Sequence, residues 1–228
     1  MMNKMKKIRK AFLSLVLAAA CMAGLPGTAL AGDALQLEEE QKHGNYDSDW
    51  VYLAQKDGTV WIAYYRGQAK CDELEMPAEI DGRVVTGFMH NINENEYVKI
   101  NTLIIPETVT HFPSGSIEFG GVKEIIVKEG NPVYRSEDGI VYDKQMKTLI
   151  CCPTCRGGAL TVPEGVEKIG GCAFYRSSLS EICLPDSLRE IGGAAFSNCS
   201  SRFKEPVIPS QVNKIGYDAF SGCREIKE

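Results

Sequence analysis

The stretch Lys168-Ile-Gly-Gly-Cys-Ala-Phe174 returns twice further along the chain. It reads KIGGCAF at 168–174, EIGGAAF at 190–196 and KIGYDAF at 214–220, so 22 and then 24 residues separate successive copies. A unit this short cannot bury its own apolar side chains, whereas a stack of such units buries a continuous core. The repetition therefore predicts a β-rich solenoid.

Short aliphatic stretches that end in proline precede the repeated phrase and also occur without it. Because proline removes a ladder donor and ends a strand, each stretch predicts one short parallel strand per coil. They are LEMP at 74–77, LIIP at 103–106, LTVP at 160–163, ICLP at 182–185 and PVIP at 206–209, with EIIV at 124–127 as a sixth that lacks the proline. About six coils should fill residues 74–228.

The recurring isoleucines and phenylalanines are predicted to form the structural core. Each coil should place them against the same residues of its neighbours, while the glycine after each isoleucine should supply backbone freedom at a bend. These core residues are Ile169, Phe174, Ile191, Phe196, Ile215 and Phe220, and the glycines are Gly170, Gly192 and Gly216.

The repeated phrase closely resembles the BspA-like leucine-rich repeat family of bacterial surface proteins. The matching stretches are VPEGVEKIGGCAF at 162–174, LPDSLREIGGAAFSNC at 184–199 and IPSQVNKIGYDAFSGC at 208–223, and a segment of about 131–158 resembles a hairpin insertion frequent in the family. The resemblance implies an extracellular, non-catalytic scaffold without a cofactor. Its members are often associated with adhesion, which implies a protein or glycoprotein ligand outside the cell.

The chain begins with a predicted secretory signal peptide at residues 1–31. A basic segment is followed by the apolar run AFLSLVLAAA at 11–20, which is too short to span a bilayer. The pattern favours free secretion over a lipoprotein anchored through Cys21. Residues 32–45 are predicted to form a flexible acidic tether, and residues 46–73 an N-terminal β-hairpin cap around Asp57-Gly58.

Charge argues against a nucleic-acid partner. The chain has 25 basic and 30 acidic side chains, and removal of 1–31 takes five basic and no acidic residues, which leaves 20 against 30 and a formal charge of −10. Such a surface repels phosphate backbones. No second apolar run of membrane length follows. After Cys223 the letters REIKE begin another strand, so the sequence predicts an open C-terminal edge that self-associates or frays.

Strand residues that the core does not need form the candidate ligand-binding surface. Alternation of side chains turns two columns outward onto the concave sheet face. One column is Glu73, Thr102, Glu124, Ala159, Glu181 and Glu205, and the other is Glu75, Ile104, Ile126, Thr161, Cys183 and Val207. Two interpretations stay open, because β-branched residues suit any strand, whereas an exposed apolar strip beside carboxylates suits a basic and apolar protein partner.

Cysteines suggest an alternative function. Eight remain after residue 31, and Cys199 and Cys223 occupy the repeat's own cysteine position, where a buried reduced thiol suffices. The cluster Cys151, Cys152 and Cys155 is compatible with structural thiols or a disulfide, with zinc, or with a thiol-redox function. Other catalytic patterns are lacking, since His43, His90 and His111 are scattered. We therefore expect a binding module and no enzyme.

Overall fold

The computed structural model describes residues 49–67, 72–89, 100–113, 121–200 and 203–223. The predicted signal peptide, the acidic tether, Cys21, Cys71, His43, His90 and the segment 224–228 lie outside the described residues.

Strands are the only regular elements in the described part of the chain, and they form a β-solenoid of about six turns. The solenoid and its hairpins agree with the fold class that the sequence predicts. The fifteen strands are β1 (Trp50–Ala54), β2 (Val60–Tyr65), β3 (Glu73–Glu75), β4 (Glu79–Ile80), β5 (Arg83–Phe88), β6 (Thr102–Ile105), β7 (Glu124–Val127), β8 (Tyr134–Glu137), β9 (Ile140–Asp143), β10 (Thr148–Cys151), β11 (Gly158–Thr161), β12 (Lys168–Ile169), β13 (Leu179–Cys183), β14 (Glu190–Ile191) and β15 (Lys214–Ile215).

An antiparallel hairpin of β1 and β2 begins the described structure. Gly58 has a φ of 86°, which glycine adopts without steric cost, and the amide of Thr59 donates to the carboxylate of Asp57 over 3.0 Å. β2 then pairs in parallel with β5, and β5 pairs antiparallel with β4, in the order β1-β2-β5-β4. The hairpin therefore belongs to the same sheet as part of the first coil.

The aliphatic strands of successive coils pair in parallel, in two separate sheets. β3, β6 and β7 form a three-stranded sheet, and β11 and β13 form a two-stranded sheet. In both sheets the strand residues that pair across neighbours occupy equivalent repeat positions. In the three-stranded sheet, side chains alternate between the outward face and the interior. Leu103, Ile105 and Ile125 point to the interior and are fully buried.

A second parallel ladder runs through the Lys-Ile and Glu-Ile steps of the repeated phrase. β12, β14 and β15 pair in register, and β10 continues this sheet toward β9 and β8. Several coils therefore contain two strands, whereas the sequence predicts one. A strand of two residues is too short to show an alternating pattern, so the sequence gives no separate signal for it.

The hairpin of β8 and β9 interrupts the aliphatic ladder. Asp138 and Gly139 have φ values of 50° and 71°, which fit the two central residues of a tight hairpin turn. The amide of Ile125 in β7 donates to Gly139 O over 2.9 Å, and Arg156 holds the turn through Asp138 O and its carboxylate. β7 therefore adjoins the hairpin turn, and the two predicted outward columns are not continuous across the coils.

Two apolar clusters fill the interior, and the second contains a column of phenylalanines. The rings of Phe174 and Phe196 stack at 4.9 Å with 3° between their planes, and those of Phe196 and Phe220 at 5.1 Å with 2°. Burial of the six predicted core residues decreases toward the last described coil. Ile169, Phe174, Ile191 and Phe196 have no exposed surface, Phe220 is half-buried, and Ile215 is 53% exposed.

Exposure of Ile215 corrects the prediction that all six repeated side chains are core. The repeat buries a side chain between two neighbouring coils. Within the described residues only one coil, the preceding one, packs against the last coil. The same residue type at the same repeat position therefore lies in a different environment at the end of the stack.

The repeat glycines have a different role from the predicted backbone freedom. Gly170, Gly192 and Gly216 do not adopt the left-handed conformation. A Cβ atom on Gly192 would lie 2.6 Å from Gly171 N and 2.7 Å from Gly170 C. Glycine is needed there because the backbones of neighbouring coils approach too closely for a side chain.

Candidate functional site

The outward face of the three-stranded sheet is the first candidate surface. Parallel pairing places Glu73, Thr102 and Glu124 in one row and Glu75, Ile104 and Ile126 in the next. We call these six residues the three-stranded patch. The structure brings together the predicted ligand-binding residues Glu73, Glu75, Ile104, Glu124 and Ile126.

Charges on the three-stranded patch are only partly neutralised. Lys128 follows β7, and its Nζ atom donates to Glu75 Oε1 over 2.5 Å, so the lysine reaches across the middle strand to β3. This ion pair raises the pKa of Lys128 through the hydrogen bond to Glu75. Within the described residues, Glu73 and Glu124 are exposed and have no ion pair. The patch therefore presents two free carboxylates.

An aliphatic ridge lies beside these carboxylates. Ile126 is 41% exposed. Ile104, its pairing partner on β6, lies on the same face and is half-buried. Thr102, by contrast, is only 9% exposed and contributes little surface. Because side chains two residues apart on a strand share a face, Glu124 and Ile126 are adjacent on β7. The patch combines an apolar contact with negative charge.

The two-stranded sheet carries a smaller candidate surface. Ala159 pairs with Glu181 and Thr161 with Cys183, and all four are exposed; we call them the two-stranded patch. Lys204 forms an ion pair with Glu181 at 3.1 Å, so the acidic character expected here is reduced.

Glu205 and Val207 do not extend the two-stranded patch as a regular strand. Both are exposed, and Val207 is 86% exposed, but they lie in an irregular segment. Pro206 has no amide hydrogen for a ladder, which explains why pairing stops beside β13. The predicted columns of six residues therefore become two patches and a separate exposed segment.

Two lysines that pair with outward glutamates were not predicted from the sequence. Lys128 and Lys204 neutralise Glu75 and Glu181, although neither belongs to a predicted outward column. Strand alternation could have found Lys128, since it lies two residues after Ile126 and so shares its face. Lys204 lies in the irregular segment before Pro206, where no period predicts its direction.

The cysteine cluster does not converge on one site. Cys151 and Cys152 are both fully buried but pack in different apolar clusters, and Cys155 is exposed. Burial raises the pKa of the Cys152 thiol well above its ordinary value. A redox-active thiol needs the opposite shift, because the thiolate is the reactive form. Across the described residues, no group of three His, Cys, Asp or Glu side chains is arranged to hold a metal ion.

Two other thiols, the buried Cys199 and the half-buried Cys223, have structural contacts. Cys199 Sγ donates to Phe174 O over 3.2 Å, and Cys223 Sγ donates to Phe196 O over 2.9 Å. Burial raises the pKa of Cys199 to about 12 and also raises that of Cys172 and Cys223. Each of these two thiols therefore donates a hydrogen bond to a backbone carbonyl of the preceding coil.

A stacked β-solenoid with aliphatic strands ending in proline is the architecture of a leucine-rich repeat protein. The family model described as "BspA type Leucine rich repeat region" matches residues 151–228 in six copies. This region of the chain therefore belongs to the BspA-type leucine-rich repeats, as its sequence resemblance predicts.

One solved leucine-rich repeat structure superposes with a TM-score above 0.5, and two others have lower scores. A leucine-rich repeat protein from Eubacterium ventriosum ATCC 27560 superposes with a TM-score of 0.51 at 16% identity, over 80% of this chain and 76% of that one. The pneumococcal vaccine antigen PcpA gives 0.48 at 18% identity, over 68% and 49% of the two chains. A leucine rich cell surface protein from Faecalibacterium prausnitzii A2-165 gives 0.44 at 16% identity, over 81% of each.

No curated protein sequence matches the chain. Among the residues that the structure describes, no helix has the length and apolar character needed to cross a membrane.

Proposed function

We propose that this protein is a secreted or cell-surface interaction module that binds a protein or glycoprotein outside the cell, as an adhesin does. The BspA-type repeat region supports a surface interaction module of this general class. The N-terminal signal expected from the sequence supports export. The proposed binding surface is the concave sheet face, with the three-stranded patch as its main contact surface.

Exposure of Ile126 beside Glu124 is the observation that carries the proposal. The core does not require an aliphatic side chain there, and Ile126 is 41% exposed. A contiguous exposed apolar surface with a polar rim is typical of protein interaction sites, and Ile104 adjoins Ile126 on the same face. The free carboxylates of Glu73 and Glu124 would select a partner segment with lysine or arginine beside an aliphatic residue, since opposite charges speed and orient association.

Binding to a panel of extracellular matrix proteins and mucins tests this proposal. The parent chain from residue 32 is compared with a double variant, Ile104→Lys and Ile126→Lys, and with Val207→Lys. Saturable binding that only the double variant loses, with unchanged thermal unfolding, would support the three-stranded patch. Loss in Val207→Lys alone would move the site to the irregular segment. Absence of binding by the parent to every panel member would contradict an adhesin function in this ligand class.

Self-association through the last coil is a second proposal about partners. Its support is the exposure of Ile215 at 53% and of Tyr217 at 88%, both on the last described coil. Sedimentation over a range of concentrations would test it, with Tyr217→Lys as the comparison variant. A single monomeric species at all concentrations would contradict it.

A further inference from the structure

Two cysteines occupy the same position in consecutive coils. In each of the last three coils, a particular residue follows the stacked phenylalanine by three positions. It is Ser177 after Phe174, Cys199 after Phe196 and Cys223 after Phe220. Only the last two of these coils therefore place thiols side by side.

Backbone bonds on both sides hold these two coils in register. The amides of Phe196 and Asn198 each donate over 2.7 Å, to Ala219 O and Ser221 O of the next coil. The stacked rings of Phe196 and Phe220 are 5.1 Å apart and almost parallel. Backbones joined in register by such bonds lie about 4.7–4.9 Å apart, which falls within the range of about 4.4–6.8 Å between Cα atoms that a disulfide requires.

A single carbonyl oxygen connects the two cysteines. Phe196 O accepts the hydrogen bond from Cys223 Sγ over 2.9 Å, and it also accepts the amide hydrogen of Cys199 over 3.3 Å. The sulfur of Cys223 therefore lies next to the backbone of Cys199. Cys199 Sγ itself is directed toward the preceding coil, where it donates to Phe174 O. A hydrogen bond between the Cys199 and Cys223 thiols also contributes to the pKa shifts of both groups, so the two sulfurs are neighbours.

We propose that Cys199 and Cys223 form a disulfide when the folded protein meets a small-molecule disulfide, and that this bond fixes the last described coil to the coil before it. Cys223 is half-buried and reacts first. Its thiolate attacks one sulfur of the small disulfide, forms a mixed disulfide and releases one small thiolate. The Cys199 thiolate then attacks the Cys223 sulfur and releases the second. Two protein thiols lose their protons and are oxidised, and the small disulfide is reduced to two thiols.

The disulfide would stabilise the last described coil. Within the described residues the outer side of the last coil is uncovered, with Ile215 and Tyr217 exposed. A bond from Cys199 to Cys223 closes a segment of 25 residues, counting both cysteines, that leads into and includes the repeated phrase of that coil. Such a closure limits the freedom of the unfolded chain. The raised pKa of both thiols slows the exchange near neutral pH and lets it accelerate as the pH rises.

Oxidation of the full folded chain with oxidised glutathione tests the proposal. After quenching by alkylation, peptide mapping should find the Cys199–Cys223 cross-link, and the melting temperature should rise by several degrees. Hydrogen exchange should slow across 203–223. Cys199→Ser and Cys223→Ser should each abolish the cross-link and the thermal shift, whereas Cys183→Ser, which removes an exposed thiol elsewhere, should preserve both.

Three results would overturn the proposal. One is formation of glutathione adducts alone, without the cross-link, in protein that stays folded. The second is a cross-link that leaves the melting temperature and the exchange of 203–223 unchanged. The third is cross-linking only in urea-unfolded protein, because the proposal requires the native register.

Discussion

The side-chain amide of Asn131 donates to Val109 O over 2.7 Å, although 22 residues separate the two in sequence. The same amide also donates to Pro106 O, and Asn131 Oδ1 accepts from the amides of Val133 and Tyr134. Asn131 has no exposed surface. One side chain therefore joins a coil to the start of the β8–β9 hairpin.

Replacement of Asn131 by alanine should lower the free energy of unfolding by about 3 kcal/mol, because it leaves several buried backbone groups without partners. Urea denaturation measures the change. Asn101→Ala is the matched control, since its amide makes one exposed bond to Asp72, and it should cost less than about 1 kcal/mol. Equal losses in both variants would contradict the anchoring role of Asn131.

Gly192→Ala should destabilise the stack by about 1–3 kcal/mol, as overpacking does in other cores. The new Cβ atom would lie 2.6 Å from Gly171 N, and backbone cannot move aside cheaply. Gly157→Ala is the control, because nothing lies within 4 Å of its added Cβ. A Gly192→Ala variant as stable as the parent would show that neighbouring coils can separate without cost.

Ala194→Gly should stabilise the protein by up to about 1 kcal/mol, because alanine pays a steric cost in the left-handed conformation. Ala194 has a φ of 52°. Ala159→Gly, in strand β11, should have the opposite sign, since glycine loses more backbone entropy there. Chemical denaturation measures the free energy of unfolding of both variants. Destabilisation by Ala194→Gly would be inconsistent with backbone strain at this position.

Phe196→Ala should cost about 3–5 kcal/mol, the range for large buried aromatic residues. Phe196 is fully buried, and its ring stacks on Phe174 and Phe220. Phe220→Ala should cost clearly less, because Phe220 is half-buried and stacks at the end of the column. Thermal and urea unfolding would measure both. A larger loss for Phe220→Ala would indicate that the last coil is covered.

Acidification should destabilise the parallel pairing of β12, β14 and β15, because it protonates the carboxylate of Glu190. This carboxylate accepts a hydrogen bond from Lys214 and lies 3.2 Å from Lys168, and these contacts lower its pKa below the ordinary 4.5. Because the folded-state pKa is the lower one, the stabilisation is complete above 4.5 and disappears as the pH falls through the folded value. Glu190→Gln should therefore flatten the dependence of stability on pH below 4.5.

Glu205→Gln is the control for this acid dependence, since Glu205 is exposed and has no ion pair in the described part of the chain. Urea unfolding at several acidic pH values would provide the comparison. An unchanged slope in Glu190→Gln would refute a stabilising role for the lysine pairs.

Repetition made the interior predictable, whereas surface features depended on particular contacts. Ile191 and Phe196 meet equivalent residues on both sides, so one pattern predicts their burial. Ile215 carries the same pattern but lies at the end of the described stack, where one neighbour is missing. The sequence predicts the hairpin insertion that separates the outward columns, but not the contact of its turn with β7, where Ile125 N donates to Gly139 O.

The candidate site was predictable only in part. Strand alternation predicted the rows that join Glu73 to Glu124 and Ile104 to Ile126. It did not predict that Lys128 would reach Glu75, because the direction of a long flexible side chain depends on the surrounding charges rather than on period.

A matched pair of lysine substitutions tests the central claim most directly, which is that the three-stranded patch binds an extracellular protein. Ile126 and Val84 are exposed to nearly the same extent, 41% and 43%, but Val84 lies in β5, outside the patch. The measurement is the equilibrium affinity of Ile126→Lys and Val84→Lys for a matrix protein that the parent binds. We predict that Ile126→Lys weakens binding at least about tenfold, a loss of about 1.4 kcal/mol, while Val84→Lys matches the parent. Equal affinity of the two variants, with both folded, would contradict the claim.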